Sequence, residues 1–173
     1  VLEGTVNLVL EDSTFIEALE KTHAVVKQNK WVLVDQHHDV SGMYAHASTA
    51  LELLCQHPDV TDVVCATGTG ATAAGLRNYL PMNVNVHSRP AKSGTVDGLT
   101  DVNRYNNFCD AKSLVGYNTG DYLDVSDAVA HQEILKENHG IDAGPSSGSC
   151  YWLAKQVRAE NPNARIAFIS ADG

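Results

Sequence analysis

Apolar positions in this chain fall into two kinds of run that take turns along it. Short stretches at Asn7–Leu10, Trp31–Val34, Asp62–Ala66, Val84–Val86 and Arg165–Ser170 have the length and apolar content of strands. Trp31-Val32-Leu33-Val34 is apolar throughout, as expected of a strand covered on both faces. Between these runs the apolar spacing becomes helical. Phe15, Ile16, Leu19, His23 and Val26 recur at that spacing behind an N-cap in Asp12-Ser13-Thr14,. Further helices are predicted over Ala45–Gln56, Ala73–Leu80 and Asp127–Asn138, the last with Ser126 as N-cap and Gly140 as C-cap,. Another runs from about Cys150 to Glu160, where Asn161-Pro162-Asn163 breaks it,. Strands and helices that alternate in this way predict an α/β fold, an open, mostly parallel twisted sheet with helices on both faces. The stretch from Ser88 to about Tyr122 is rich in Gly, Asn and Asp and has little periodicity. It is long for a connection inside a compact domain, and such segments are often functional.

Composition narrows the function classes. The 173 residues suffice for one domain with a hydrophobic core,. A formal net charge of −9, with the 12 Lys and Arg residues scattered, repels a phosphate backbone, so no nucleic-acid partner is expected,. No apolar run approaches the roughly 20 residues needed to cross a bilayer. The start, Val1-Leu2-Glu3-Gly4, has no basic region or long apolar stretch of a signal peptide, so a cytoplasmic location is expected,. Cys55, Cys65, Cys109 and Cys150 form no C-x-x-C pair and read as free thiols of a reducing compartment,. A chain without an initiator Met that stops in the turn after a strand reads as a fragment, one chain of a split protein, or the ordered part of something longer.

Two loops carry candidate chemistry. Val63 to Thr72 reads as strand, glycine-rich turn and helix start. Gly68 and Gly70 let successive N–H groups converge, Thr69 and Thr72 add hydroxyls, and the helix dipole adds a positive end, which together suit an anion. There is no Gly-Lys-Ser/Thr of a P-loop, and Ala73 stands where a dinucleotide fingerprint has its third glycine,. An acidic ribose ligand is also lacking, since the usual spacing lands near Ser88–Ala91,. The second loop, Gly144-Pro145-Ser146-Ser147-Gly148, matches Gly-x-Ser-x-Gly in letters. A nucleophile elbow must follow a strand and precede its histidine, whereas this loop follows a helix and the last histidine is His139,. A serine aimed at a ligand at the carboxyl edge of the sheet fits this context better.

In combination these segments resemble the cysteine synthase and cystathionine β-synthase family of fold-type II pyridoxal-phosphate (PLP) enzymes, in its C-terminal half. Gly68-Thr69-Gly70-Ala71-Thr72 is similar to the family's GTGGT loop, with Ala71 in place of a glycine. Asp127–Ser149, with His139-Gly140-Ile141 and Ala143–Gly148, resembles its EEGI-x-AGISSGA block. Asp35-Gln36 with His46, Thr49 and Glu52 is similar to its NQ…H…T…E segment, and Val96-Asp97-Gly98-Leu99 to its I-x-GIG. The four blocks stand in the family's order and span nearly the whole chain.

The resemblance implies that Gly68, Thr69, Gly70, Ala71 and Thr72 bind the phosphate of PLP and that Ser146 faces its pyridine nitrogen. A neutral serine leaves that nitrogen largely unprotonated, which suits β-elimination and β-replacement on an amino acid. The expected partners are a small amino-acid substrate, a small nucleophile such as a thiol, and a second copy in a homodimer. The family's Schiff-base lysine lies in its N-terminal half. None of Lys21, Lys27, Lys30, Lys92, Lys112, Lys136 and Lys155 has the family's S-x-K-x-R setting, so that lysine is expected from an N-terminal half or a partner chain. Other readings on the same fold are an amino-acid dehydratase, a diaminopropionate-type synthase, and a PLP-free homologue acting as a binding subunit.

Other features receive ordinary readings. Asn118-Thr119-Gly120 resembles the family's carboxylate loop in letters but follows the phosphate loop instead of preceding it, and reads as a turn,. Asp35–Asp39 contains adjacent histidines without a third at helical spacing, so it reads as a polar loop beside the cleft and no metal is expected,. Trp31 and Trp152 read as core or interface residues. Ser149 and Cys150 stand at the start of the last helix, and Cys150 has no evident base, so packing is its default role.

Overall fold

The computed structural model describes residues 15–92, 96, 98–99 and 123–171, with side chains from Glu17 onward. The proposed strand Asn7–Leu10, the cap Asp12–Thr14, Cys109 and the turn Asn118–Gly120 lie outside the described residues. The chain divides into two compact units, residues 1–35 and 36–173.

In the first unit, helix α1 (Phe15–Asn29) carries an acidic Glu17 in its first turn and Lys27 in its last, each complementing the helix dipole,. It ends at Lys30, whose φ of 56° is left-handed,. The stretch Trp31–Val34 does not form the expected strand. Apolar content favours a strand only where a neighbour pairs its N–H and C=O groups, and among the described residues none pairs with this stretch. Trp31 and Val32 are exposed, Val32 at 90%, so of the core and interface readings of Trp31 the core one does not hold.

The second unit contains α2 (Ser41–Gln56), β1 (Asp62–Ala66), α3 (Ala71–Tyr79), β2 (Asn85–Arg89), α4 (Val125–His139), α5 (Pro145–Glu160) and β3 (Ile166–Phe168). The three strands form a parallel sheet in the order β2-β1-β3, with β1 in the middle. Val63 of β1 pairs with Val86 and Ala167, and Val64 with His87 and Phe168. Alternation along β1 separates two cores. Val63 and Cys65 join Ala50 of α2, Ala74 and Leu76 of α3, and Val86 on one face,. Val64 faces the other way, against Cys150, Leu153 and Ala154 of α5. Helices therefore cover both faces of a parallel sheet, as the alternation of elements predicts.

Four helix starts differ from the sequence pattern: α3 begins at Ala71 and not Ala73, and the other three differ for identifiable reasons. α2 begins four residues early, because Asp39 accepts a hydrogen bond from Ser41 N–H through its carboxylate at 2.8 Å. α4 is capped at Asp124 and not at Ser126, which lies inside the first turn. Its end agrees with the sequence reading, since Gly140 is left-handed at φ 68°,. α5 begins at Pro145 and not Cys150, so the small-residue stretch is itself the first helical turn. Proline presets φ at that position, and smallness serves packing. A Cβ on Gly148 would stand 2.1 Å from the Ala128 carbonyl oxygen of α4.

At the amino edge of the sheet, Asp62 is buried. Its carboxylate accepts hydrogen bonds from Thr61 Oγ1 at 2.6 Å, His87 Nε2 at 2.8 Å and Asn85 Nδ2 at 3.1 Å. Burial alone would raise its pKa, but these bonds together with the His87 interaction outweigh burial and hold it below the ordinary value,.

Candidate active site

β1 runs out through the buried Thr67 into the loop Gly68–Thr72. Thr67 and Ser88, at the ends of adjacent strands, share a hydrogen bond between their hydroxyls. Gly70 is the N-cap of α3 in a left-handed conformation at φ 87°, which glycine adopts without steric cost,. No side chain caps this helix. Ala71 N–H bonds back to Thr69 Oγ1 at 3.3 Å, leaving the Thr69 hydroxyl its own proton to donate,. Thr72 lies in the first turn, 3.1 Å from His46 Nε2.

α5 starts at the same edge. Gly144 is its N-cap, again without a side-chain cap, and Ser147 and Gly148 N–H bond to its carbonyl at 3.1 and 3.2 Å. Ser146 and Ser147 are buried. Ser149 Oγ donates to the Ser146 carbonyl at 2.5 Å, and Ser170 Oγ, just beyond β3, donates to Ser147 Oγ at 3.1 Å. These bonds fix the first turn of α5 on the carboxyl end of the sheet.

Gly98 joins the two loops. A Cβ on Gly68 would meet the Gly98 carbonyl oxygen at 3.2 Å, and a Cβ on Gly98 would stand 2.8 Å from Ser146 Cβ. Gly98 is also left-handed, at φ 82°. Residues 68, 98 and 146, far apart in sequence, thus come together over the middle strand. Gln36, His37, His38 and Asp39 line a shallow open hollow together with Val40, Met43, Thr69 and Ala71. The polar loop therefore borders the loop Gly68–Thr72.

The donor set is neutral. The loops Gly68–Thr72 and Gly144–Ser149 offer hydroxyls and backbone N–H groups at two helix starts and contain no carboxylate to repel an anion,. A phosphate suits the first loop, and a neutral hydroxyl at Ser146 suits a ring nitrogen. Cys65 lies in the core and not in the site, and burial pushes its thiol up to about 12. Cys150 is buried in the opposite core, which bears out packing as its role. Lys92, Lys136 and Lys155 are exposed. Lys136 Nζ pairs with Asp142, and Lys155 lies over the Tyr151 ring. Among the described residues no group of His, Cys, Asp and Glu is arranged to hold a metal ion.

A family described as "Pyridoxal-phosphate dependent enzyme" matches the sequence over residues 2–172. The chain belongs to this family. Its cofactor is pyridoxal phosphate, and the chain corresponds to a member's C-terminal portion. Solved structures agree in fold. O-acetylserine sulfhydrylase isoform 3 from Entamoeba histolytica is 25% identical, with a TM-score of 0.73 over 90% of this chain and 51% of that one. A hydrogen sulfide-producing enzyme from Fusobacterium nucleatum is 21% identical, with a TM-score of 0.74 over 91% and 52%. O-acetylserine-dependent cystathionine β-synthase from Helicobacter pylori is 16% identical, with a TM-score of 0.76 over 90% and 55%. The chain thus spans about half the length of these family structures. No curated protein matches the sequence.

Two contributors escaped the reading from sequence as site components. Gly98 stood inside a family-like segment, but its role as the spacer between residues 68 and 146 follows only from three-dimensional proximity. His46 had a place in a motif and no task, and the signal that finds one is its contact with Thr72.

Proposed function

We propose that this chain is the cofactor-cradling part of a cysteine synthase-like enzyme that makes or breaks a bond at the β-carbon of an amino acid. In this reading Gly68, Thr69, Gly70, Ala71 and Thr72 hold the phosphate of pyridoxal phosphate, and Ser146 faces the pyridine nitrogen. The observation that carries it is the meeting of Gly68, Gly98 and Ser146 at the starts of two uncapped helices. When bound, the cofactor supplies an electron sink for the α-carbon of the substrate. The residues of this chain bind and orient. Backbone N–H groups and the Thr69 and Thr72 hydroxyls stabilise the phosphate charge by hydrogen bonding. Ser146, fixed by the Ser149 bond to its carbonyl, keeps the ring nitrogen beside a neutral hydroxyl and away from any carboxylate of its own loop. That choice tempers the electron sink and favours loss of a β-substituent and its replacement.

The substrate is then a small amino acid with a leaving group on its β-carbon, joined by a small nucleophile such as a thiol. The lysine that carries the cofactor comes from an N-terminal half or partner chain, and the working enzyme is a cytoplasmic homodimer. Among the described residues no helix is long and apolar enough to cross a membrane. The intact protein is expected to turn yellow with pyridoxal phosphate and to release acetate from O-acetylserine when sulfide is added. Ser146→Asp should retain the colour and lose most turnover, because the negative carboxylate would hold the ring nitrogen in its protonated form. An intact protein that stays colourless with added cofactor would overturn the proposal.

A further inference from the structure

Thr72 is contacted from outside its own loop. Its Oγ1 lies 3.1 Å from Nε2 of His46 on α2, and Nδ1 of the same ring lies 3.4 Å from Thr49 Oγ1. The three side chains form a partly buried row where α2 crosses α3. The crossing is close because residue 75 is glycine. A Cβ there would stand 2.4 Å from the Met43 carbonyl oxygen and 2.7 Å from His46 Cβ. The helix contact therefore sets the position of His46 over Thr72, and side-chain flexibility has little part in it.

The row has two possible directions of donation, and an anion selects between them. Burial lowers the pKa of His46, so near neutral pH the ring carries one N–H and one lone pair,. The threonine hydroxyl also has a single proton. Were that proton given to His46, the threonine oxygen would present only lone pairs to a phosphate, which is itself an acceptor. In the opposite direction Thr49 O–H donates to Nδ1, Nε2–H donates to Thr72 Oγ1, and the Thr72 proton points toward the anion. Each donation polarises the next, which strengthens the last bond in the row.

We propose that His46 is a positioning residue that acts through Thr72, its Nε2–H holding the threonine oxygen so that the threonine proton faces the cofactor phosphate. This deepens the reading of Gly68–Thr72 as the phosphate cradle and rests on it. His46 itself touches neither cofactor nor substrate.

The test uses the intact protein and 4′-deoxypyridoxine 5′-phosphate, a cofactor analogue without the aldehyde, which binds through phosphate and ring alone. Thr72→Val is expected to weaken binding about tenfold and His46→Leu about fivefold, the scale of one charge-assisted hydrogen bond and of its orientation. The double variant should bind within about twofold of Thr72→Val, because His46 has no route to the phosphate except through Thr72. His46→Gln, which restores an N–H near the Nε2 position, should recover most of the loss. Nitrogen NMR of the bound wild type should show the Nε2–H tautomer. The proposal is overturned if the losses multiply in the double variant, if His46→Gln fares no better than His46→Leu, or if the bound ring carries its proton on Nδ1. The tautomer decides the matter should His46→Leu fail to fold. A different pattern marks failure of the cradle itself, in which the wild type ignores the analogue or Thr72→Val binds it unchanged. That result removes the proposal as well.

Discussion

At the amino edge of the sheet, Asp62 buries a carboxylate among Thr61, Asn85 and His87. At the carboxyl edge, the loops Gly68–Thr72 and Gly144–Ser149 bury hydroxyls and backbone without a charged side chain. The difference shows what each edge is built for. A buried charge is tolerated where its partners are supplied by adjacent strands of the same sheet. It would be a liability beside an anion that arrives from solution. The carboxyl edge instead gains its precision from glycines that let backbones touch.

The sharpest way to break that comparison is to give the glycines a side chain. Gly148→Ala and Gly75→Ala each drive a Cβ to within 2.4 Å or less of a carbonyl oxygen on a neighbouring helix. Backbone must move in both, so each is expected to cost about 3 kcal/mol or more in urea unfolding. Gly98→Ala comes next, at about 2 kcal/mol, from its left-handed backbone and the approach to Ser146,. It should also abolish binding of a phosphorylated cofactor analogue while far-ultraviolet circular dichroism stays native. A Gly98→Ala protein that binds as tightly as wild type would show that residues 68, 98 and 146 do not form one site.

At the amino edge the effect is smaller and depends on pH. Because the folded-state pKa of Asp62 lies below its ordinary value of 3.8, its contribution is fully present above that value,. It is lost as pH falls through the lowered folded value. Asp62→Asn should therefore cost about 1–2 kcal/mol at pH 7 and flatten the acid limb of stability measured against pH. The smallest effect belongs to the exposed pair Lys136–Asp142, in which the carboxylate raises the lysine pKa. Lys136→Ala should leave the unfolding midpoint unchanged within error, since solvent screens such pairs.

Legibility from the sequence followed the range of the forces. The central strand was legible to the residue, because Val63–Ala66 is apolar and both of its faces are covered. The Gly140 cap was equally plain, since a left-handed helix end is a local requirement,. The loop Gly68–Thr72 announced a helix start suited to an anion, and its partner Ser146 came from resemblance to a family. Trp31–Val34 misled because apolarity alone does not make a strand, and among the described residues no neighbour pairs with it. The small residues before Cys150 looked like a loop, yet their size answers to α4, which the local pattern does not encode. For the same reason Gly98 and His46 had no readable task, as each acts on a residue more than twenty positions away.

Thr61, just before β1, and Arg165, just before β3, hydrogen-bond across 104 positions of sequence. Closing so long a loop costs entropy before any contact returns it, and parallel pairing of this kind forms slowly. Ser146 is tied to that late event, since Ser147 beside it is bonded to Ser170 beyond β3. During synthesis the loop Gly68–Thr72 is therefore made long before the segment that steadies the start of α5. The two helix starts at the carboxyl edge are therefore expected to become one surface only once the last strand has docked.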